Sequence, residues 1–314
     1  MNASWLLAMQ ARDGSWSDFW IPSGSSSEWV TAYVAASLAI SPDAACRDAA
    51  RAAWQYLVGV QHDDGGWGYG PTVPSDGDST AWALILAQRI GERRAVPALR
   101  AFAFLADLRR CGGVATYGDA RAIRRYVGAH DSADFSGWLK PHACVTAAAA
   151  QVEQLNAELR NDLLATQRPD GSWQGYWWSE PAYATALSVV ALTPPRSKRE
   201  RVAVAGATLW ARRRIARDVD ASAFASALLL TIFARGSHNE REFQRCAAML
   251  ESARAPSGRW RGSARLRVPA PHLSDPESVT AWQRWWGTGC PFNVYSIDQC
   301  SIFTTATAHY ALAS

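Results

Sequence analysis

The sequence predicts an all-α fold, an (α/α)6 barrel that spans residues 1–314 as a single domain. Two observations lead to this prediction. A short turn motif recurs along the chain, and segments that are apolar on most faces alternate with amphipathic, Arg-rich ones. Helices that are apolar all round are buried, whereas amphipathic helices lie at a surface. The alternation therefore favours an inner ring of helices enclosed by an outer ring.

The turn motif begins with Gln and ends with Gly and Trp. Its copies read QARDGSW (10–16), QHDDGGW (61–67), QRPDGSW (167–173) and a degenerate RAPSGRW (254–260). After three copies a Thr-Ala pair opens an apolar stretch, at Thr31, Thr80 and Thr185. Repeats on this scale indicate stacked helical pairs. Gly permits a tight turn, and we expect the Trp side chains to be structural: Trp16, Trp67, Trp173 and Trp260.

Apolar residues at three- and four-residue spacing place the helices between these turns. The predicted inner helices are 31–40, 80–90, 145–155, 182–192, 221–234 and 301–313. The predicted outer helices are 43–60, 93–109, 197–215 and 239–254, with about as many outer helices as inner ones expected in all. Two long stretches lack periodicity, 111–140 and 268–295. Because loops of that length in a compact domain usually have a function, we expect both to cover one mouth of the barrel.

Composition excludes several classes of protein. The 32 basic and 28 acidic residues give a net charge of +4, which is too balanced to indicate a nucleic-acid partner. No apolar run reaches the roughly 20 residues of a membrane span, and the first residues do not resemble a signal peptide. Six cysteines without paired spacing favour buried thiols and a reducing cytoplasm.

The Gln-to-Trp turn followed by a Thr-Ala helix resembles the QW repeat of the squalene–hopene cyclase and protein prenyltransferase superfamily. This resemblance covers nearly the whole chain. In addition, VPSDGDSTAWAL (73–84) resembles the DxDD box of class II terpene cyclases, whose middle Asp protonates an alkene or epoxide. Asp76 matches the first Asp and Asp78 the middle one, while Ser79 replaces the last. The resemblance implies protonation-initiated cyclisation of an isoprenoid or similar polyene, with Asp78 as the acid and Asp76 tuning it.

Protonation of a carbon–carbon double bond needs an undissociated acid. Asp78 lies at a predicted helix start, where the helix dipole favours the ionised carboxylate. Burial and repulsion from Asp76 would oppose that effect. Other polar residues begin predicted inner helices and would ring the same mouth. Those that we consider further catalytic candidates, including for the final deprotonation, are Glu28, His142 and Glu180.

A carbocation also needs stabilisation by groups that are not nucleophiles. Aromatic faces provide it through cation–π attraction, worth up to about 2 kcal/mol per desolvated contact. Trp82 is the best candidate, because it lies one turn into the helix that Asp78 opens. The full set of predicted substrate-binding aromatics is Trp20, Trp29, Trp82, Trp177, Trp178, Tyr183, Trp285, Trp286 and Phe292.

Two alternatives stay open. Protein prenyltransferases of the same superfamily bind zinc through Asp-x-Cys and a His, and Asp298-Gln299-Cys300 has that spacing. The third ligand would be His142, because His309 lies more than two turns further along the same helix and could not reach. The second alternative is a non-catalytic α/α-barrel binding protein, which the altered acid box favours. A zinc lanthionine cyclase on a similar barrel is less favoured, because its paired Cys ligands are missing.

The resemblance also bears on cofactors and partners. Class II cyclases pair this barrel with a second helical domain, so a second domain or a partner subunit would have a place beside the chain. No glycine-rich phosphate loop precedes a helix, so no nucleotide or redox cofactor is predicted. No resident metal is predicted either, and Mg²⁺ would enter only together with a diphosphate substrate.

Overall fold

The computed structural model describes residues 3–217, 222–236 and 240–313. Its α-helices are α1 (Ser4–Ala8), α2 (Glu28–Leu38), α3 (Ala44–Gly59), α4 (Gly77–Ile90), α5 (Val96–Asp107), α6 (Ala120–Tyr126), α7 (Ala143–Ala149), α8 (Glu153–Thr166), α9 (Pro181–Ala191), α10 (Lys198–Arg217), α11 (Ala223–Gly236), α12 (Glu240–Ser252) and α13 (Ile302–Ala313). Its strands are β1 (Asp18–Ile21), β2 (Gly24–Ser26), β3 (Arg109–Arg110), β4 (Gly113–Val114), β5 (Arg265–Val268), β6 (Gln283–Arg284) and β7 (Val294–Ile297).

Within the described residues, six helices pack in a closed ring. Helices α2, α4, α7, α9, α11 and α13 each contact the next, and α13 contacts α2. They are the segments with apolar residues on most faces, and every residue of α2 is buried. Helices α3, α5, α8, α10 and α12 alternate with them along the chain, and each packs on the ring helix that precedes it. The order of buried and amphipathic helices therefore follows the order in the sequence.

The same hydrogen bonds hold every copy of the turn motif. The indole Nε1 of each motif Trp donates to a backbone carbonyl ten residues earlier in the chain, at 2.6–2.8 Å. The backbone N–H of the same Trp donates to a Thr hydroxyl in the next ring helix: Thr31, Thr80, Thr185 and Thr305. These Trp residues are structural, as predicted. In the fourth copy the corresponding Thr is Thr305, 45 residues after Trp260 in the chain, which is too far for the sequence pattern to reveal.

Gln and Gly complete the turn. In the third copy, Gln167 Nε2 donates to the carbonyl oxygens of Gly171 at 2.9 Å and Ala203 at 2.8 Å. The first two copies make the equivalent pair of bonds. Gly171 has φ +96°, and a Cβ there would lie 2.3 Å from the carbonyl oxygen of Gly206. Only glycine permits both this backbone angle and this close approach of the outer helix.

The all-α prediction misses a minor β component. Strand β1 pairs with β2 and β3 with β4, both antiparallel, and β7 pairs antiparallel with β5 and parallel with β6. These strands have two to four residues, too few to show an alternating pattern in the sequence. They lie in connections that lead from outer helices into ring helices. Because consecutive helices run in opposite directions, all of these connections gather at the end where the ring helices begin.

The two long predicted loops join each other at that end. Trp138, from the first, donates its backbone N–H to the Pro271 carbonyl and its indole Nε1 to the Pro269 carbonyl, both at 3.1 Å. The first loop contains α6, which the sequence pattern did not predict. The predicted helix 145–155 is divided, since α7 ends at Ala149 and α8 begins at Glu153.

Three other predictions from the sequence concern helix starts, the burial of the cysteines and membrane spans. Residues 221 and 239, at the starts of two predicted helices, lie outside the described residues. The prediction of buried thiols is only half right, because Cys111, Cys290 and Cys300 are exposed. Among the described helices, none is long and apolar enough to cross a membrane.

Candidate active site

A cavity with an empty volume of about 680 Å³ lies at the end where the ring helices begin. Its walls come from the first turns of α2 and α4, from the loop between β4 and α7, and from β5. Most of the lining is apolar or aromatic, and two carboxylates, Asp76 and Asp78, are part of it. An apolar cavity with a few polar groups is typical of a small-molecule site.

Asp76 is the N-cap of α4. Its Oδ1 accepts the backbone N–H of Ser79 at 2.8 Å, and its Oδ2 accepts the Ser79 hydroxyl at 2.7 Å. The residue is 5% exposed. Burial raises its pKa to about 6, against the hydrogen bonds from Ser79, which lower it. Ser79, which stands where the DxDD box has its last Asp, is therefore the hydrogen-bond donor of the first Asp.

Asp78 lies in the first turn of α4 and faces the cavity. Its Oδ1 is buried and has no hydrogen-bond partner among the described residues. Burial raises its pKa well above the usual range, the charge of Asp76 adds to this, and the Trp29 indole acts in the opposite direction. The side chain is partly accessible and is part of the cavity lining. At this helix start burial opposes the dipole and favours the protonated form of Asp78.

Three of the predicted substrate-binding aromatics line the cavity: Trp29, Trp177 and Trp178. The ring centroids of Trp29 and Trp178 are 5.8 Å apart, and both rings stack on Phe303 below them. Tyr183, which is not part of the lining, stacks on Trp178 at 4.3 Å. The cavity therefore has a floor of aromatic side chains several residues deep.

The other predicted aromatics lie outside the described lining. Trp82 packs edge-on against Tyr33 at 4.5 Å, inside the ring. Trp20 and Trp286 are 43% and 67% exposed. Those that the structure places away from the lining are Trp20, Trp82, Tyr183, Trp285, Trp286 and Phe292.

Sequence reasoning missed several lining residues. Tyr69 follows the second turn motif, and Tyr117 and Trp138 come from the predicted loop 111–140. Arg267, in β5, is 5% exposed and brings a cation to the wall. The expectation that 111–140 covers the mouth was the available signal for Tyr117 and Trp138, whereas nothing in the sequence pointed to Arg267.

Of the other predicted catalytic residues, His142 and Glu180 sit behind the described lining. His142 Nδ1 lies 3.0 Å from the Thr116 hydroxyl, and its Nε2 lies 3.0 Å from the Gly137 carbonyl. Burial lowers the pKa of His142 to about 3, so its ring is neutral. Glu180 is the N-cap of α9, where it accepts the backbone N–H of Ala182 at 3.1 Å.

Glu28, the third of these candidates, begins α2 and is fully buried. Its Oε2 accepts the Gly68 backbone N–H at 2.9 Å and lies 3.5 Å from His62 Nε2. Its carboxylate is thus turned towards the second turn motif and not into the described lining.

The zinc alternative finds no ligand set in the described part of the chain, where no three His, Cys, Asp or Glu side chains converge. Asp298 uses its oxygens for backbone N–H groups, from Ala264 at 2.9 Å and Thr304 at 2.7 Å. Burial raises its pKa to about 8, and the charge of Asp18 contributes. Asp298 therefore ties β5 to the start of α13.

No protein-family model matches the chain, and neither does any curated protein sequence. Solved structures do match. The type II terpene cyclase MstE from Scytonema superposes with a TM-score of 0.93 and 32% sequence identity, over 99% of this chain and 95% of that chain. The chain belongs to the type II terpene cyclases.

Other solved structures also match the chain. A protein from Actinoplanes matches at 35% identity and a TM-score of 0.90, over 98% of this chain and 95% of that chain. The ent-copalyl diphosphate synthase from Streptomyces platensis is 22% identical, with a TM-score of 0.59, over 91% of this chain and 50% of that chain. This last match shows a shared fold.

The function and enzyme class predicted from the sequence are confirmed: the protein is a type II terpene cyclase. MstE has been solved with the substrate geranylgeranyl dihydroxybenzoate and with the product merosterolic acid A. Neither the prenyltransferase-like alternative nor the non-catalytic barrel has comparable support.

Proposed function

We propose that this terpene cyclase starts its reaction by proton transfer from Asp78 to a terminal alkene or epoxide of an isoprenoid chain. The observation that carries the proposal is the carboxyl group of Asp78, which faces an apolar cavity with its Oδ1 unpartnered among the described residues. Carbon is a poor proton acceptor, so an acid that has no competing base beside it is required. In the step, the O–H bond of Asp78 breaks, a C–H bond forms, and a carboxylate and a carbocation remain.

Asp76 would keep the proton on Asp78. Both of its oxygens accept hydrogen bonds from Ser79, which stabilise its anionic form. Asp78 has no such donors at Oδ1, and the neighbouring negative charge opposes its ionisation. Two carboxyls whose surroundings push their pKa values apart are typical of an acid and its partner.

The aromatic floor would stabilise the carbocation. Trp29, Trp177 and Trp178 present their side chains to the cavity close to Asp78. Cation–π attraction in a desolvated site contributes about 2 kcal/mol per ring, without offering a nucleophile that would trap the cation. Tyr183 would support Trp178, on which it stacks. Because Glu28, His142 and Glu180 lie behind the lining, we do not assign the final deprotonation to them.

We further propose a substrate of the class that MstE binds, a linear polyprenyl chain joined to an aromatic acid. The apolar walls suit the chain, and Arg267 suits the acid. Its guanidinium donates to the backbone carbonyls of Tyr176 and Gly175, which fix its position. These bonds use two of its five N–H donors, so donors remain for a carboxylate.

The finer points of the architecture are proposals as well. We propose that the ring is an (α/α)6 barrel of QW repeats that forms one domain over residues 1–314, supported by the closed ring of contacts and the repeated Trp hydrogen bonds. The proposed chemistry uses no resident cofactor or metal, and Mg²⁺ would accompany only a diphosphate substrate. A cytoplasmic location and the involvement of a second domain or partner subunit rest on the sequence alone.

The test is cyclisation of geranylgeranyl dihydroxybenzoate in heavy water by the wild type, Asp78→Asn and the control Asp134→Asn, which changes an exposed carboxylate. We expect deuterium in a cyclised product from the wild type and the control, and a rate about 10³-fold lower for Asp78→Asn. Unchanged turnover by Asp78→Asn would overturn the assignment of the acid. Cyclisation of geranylgeranyl diphosphate in place of the aromatic acid would overturn the proposed head group only.

A further inference from the structure

The three predicted aromatic residues that line the cavity are not held in place in the same way. Trp29 and Trp178 are buried, and both stack on Phe303, at centroid distances of 4.9 and 5.1 Å. Trp177 is only half-buried, and Tyr176 meets its ring edge-on at 5.0 Å. Packing therefore fixes the indoles of Trp29 and Trp178 more firmly than that of Trp177.

A hydrogen bond supplies the constraint on Trp177 that packing leaves out. Its indole Nε1 donates to the Thr116 hydroxyl oxygen at 2.8 Å. The backbone of Trp177 is held separately by β5, because its carbonyl oxygen accepts the Arg267 N–H at 2.8 Å. The ring could still turn about its two side-chain torsions, and a bond at the edge of the indole fixes that rotation.

His142 determines the direction in which the Thr116 hydroxyl points. The Gly137 carbonyl oxygen, 3.0 Å from His142 Nε2, can only accept, so Nε2 carries a hydrogen. The His142 ring is buried and neutral, so Nδ1, which lies 3.0 Å from the Thr116 hydroxyl oxygen, has a free lone pair. Thr116 therefore donates its one hydroxyl hydrogen to His142 and keeps a lone pair for the Trp177 N–H. Stacking on Tyr176 at 3.6 Å holds the His142 ring in turn.

Thr116 is also fixed relative to the acid. Its backbone carbonyl oxygen accepts the N–H of Gly77 at 2.8 Å, and Gly77 lies between Asp76 and Asp78 at the start of α4. Thr116 is buried and is itself part of the cavity lining. One residue therefore joins the helix start that carries the acid to the Trp177 ring, through its backbone on one side and its hydroxyl on the other.

We propose that Thr116 and His142 are positioning residues that keep the face of the Trp177 indole towards the carbocation, which rests on the proposed cyclisation. The face of an aromatic ring is negative and its edge positive, so a ring that turns loses its attraction for a cation. A cation without this stabilisation stops early. It loses a proton from a neighbouring carbon and becomes an alkene, or it binds water, releases a proton and becomes an alcohol. Both outcomes give products with fewer rings.

The test measures the ratio of fully cyclised to interrupted products formed from geranylgeranyl dihydroxybenzoate in heavy water. Thr116→Val removes the hydroxyl and keeps the shape of the side chain, and it should lower this ratio by about 10-fold. Thr116→Ser, which keeps the hydroxyl, should retain the wild-type ratio. His142→Phe keeps the stacking on Tyr176 but removes the acceptor, and it should change the ratio in the same direction as Thr116→Val. The matched control is Thr208→Val, which also loses a buried hydroxyl, one that donates to the Val204 carbonyl on the outer helix α10. It should leave the ratio unchanged.

A double variant separates positioning from a general loss of stability. Trp177→Phe has no indole N–H, so it should lower the ratio by itself, and adding Thr116→Val should lower it no further. An unchanged ratio in Thr116→Val, or an equal drop in the wild-type and Trp177→Phe backgrounds, would overturn the positioning role. Should Thr116→Val not fold, Thr116→Ala is judged by the same criteria.

The same assay distinguishes failure of the positioning role from failure of the proposed function. Deuterium in the interrupted products shows that the acid still starts the reaction when the ring is misplaced. If the wild type and Thr208→Val form no cyclised product, the proposed function is overturned, and the positioning role with it.

Discussion

Replacing Asp76 with asparagine is expected to stabilise the folded protein at neutral pH, although it weakens the acid. The folded protein binds the Asp76 proton with a pKa of about 6, compared with 3.8 for an ordinary Asp. The unfolded chain therefore releases this proton at a lower pH, and stability falls as pH rises between about 4 and 6. Each pKa unit corresponds to about 1.4 kcal/mol, so the charged carboxylate costs about 3 kcal/mol at pH 7.5.

Asparagine retains only part of what Asp76 does for the fold. Its side-chain oxygen can accept the Ser79 N–H and so preserve the cap of α4, since Asn and Asp are equally good N-caps. It loses the second acceptor, which binds the Ser79 hydroxyl at 2.7 Å, at a cost of about 1 kcal/mol. We therefore expect Asp76→Asn to be about 2 kcal/mol more stable than the wild type at pH 7.5 and about 0.5 kcal/mol less stable at pH 4.

Urea unfolding of both proteins at several pH values between 4 and 7.5 measures this difference, in which the other titrating groups largely cancel. Ser79→Ala is the matched control, because it removes the same hydroxyl hydrogen bond and leaves the charge. It should lose stability, and lose most above pH 6, where Asp76 is ionised. If the stability of Asp76→Asn relative to the wild type stays constant or falls as pH rises, the argument is refuted.

Two further predictions concern the scaffold. Glu200 accepts a hydrogen bond from Arg160 Nε at 2.7 Å, which lowers the pKa of Glu200 from its usual 4.5 to about 2. The pair therefore stabilises the folded protein above pH 4.5, and this stabilisation is lost as pH falls towards 2. Glu200→Gln should therefore cost about 3 kcal/mol at pH 7 and progressively less in acid, by urea unfolding. Gly171→Ala should destabilise by more than about 2 kcal/mol, because its Cβ would strike the Gly206 carbonyl, whereas Gly24→Ala, also at positive φ but with open space, should cost only about 1. Equal melting temperatures for the two Ala variants would contradict this explanation of the turn.

Much of the fold can be predicted from local patterns, because a helix that is buried on all faces consists of consecutive, mostly apolar residues. Such a pattern predicts the ring helices, and it fails where an apolar run continues across a turn. At Ala149 to Val152 the Ala-rich sequence continues while the chain reverses, so α7 and α8 were partly merged. The small sheets were missed because β5 and β7 are joined only in the folded chain, with a long segment between them.

Some residues of the candidate site can also be predicted from local patterns, whereas others reach it only through tertiary structure. Asp76 and Asp78 could be found because the acid box lies within one helix start. Trp82 was favoured for its place one turn further into that helix, but a residue there packs inside the ring against Tyr33. Arg267 reaches the cavity only because β5 is held against β7, which no local pattern indicates.

In the sequence, Ser79 in place of the last Asp of the DxDD box suggests a loss of function, but in the structure Ser79 has a defined role. Both of its donors go to Asp76, which fixes that carboxylate and favours its anion. A third carboxylate at position 79 would keep the backbone donor but add a negative charge where a neutral hydroxyl now stands. With serine there, the favoured holder of the proton is Asp78, whose pKa is raised by burial and by the charge of Asp76 and whose carboxyl faces the cavity. We infer that two carboxyls with unequal surroundings are sufficient to keep the acid protonated, and that the missing carboxylate does not argue against catalysis.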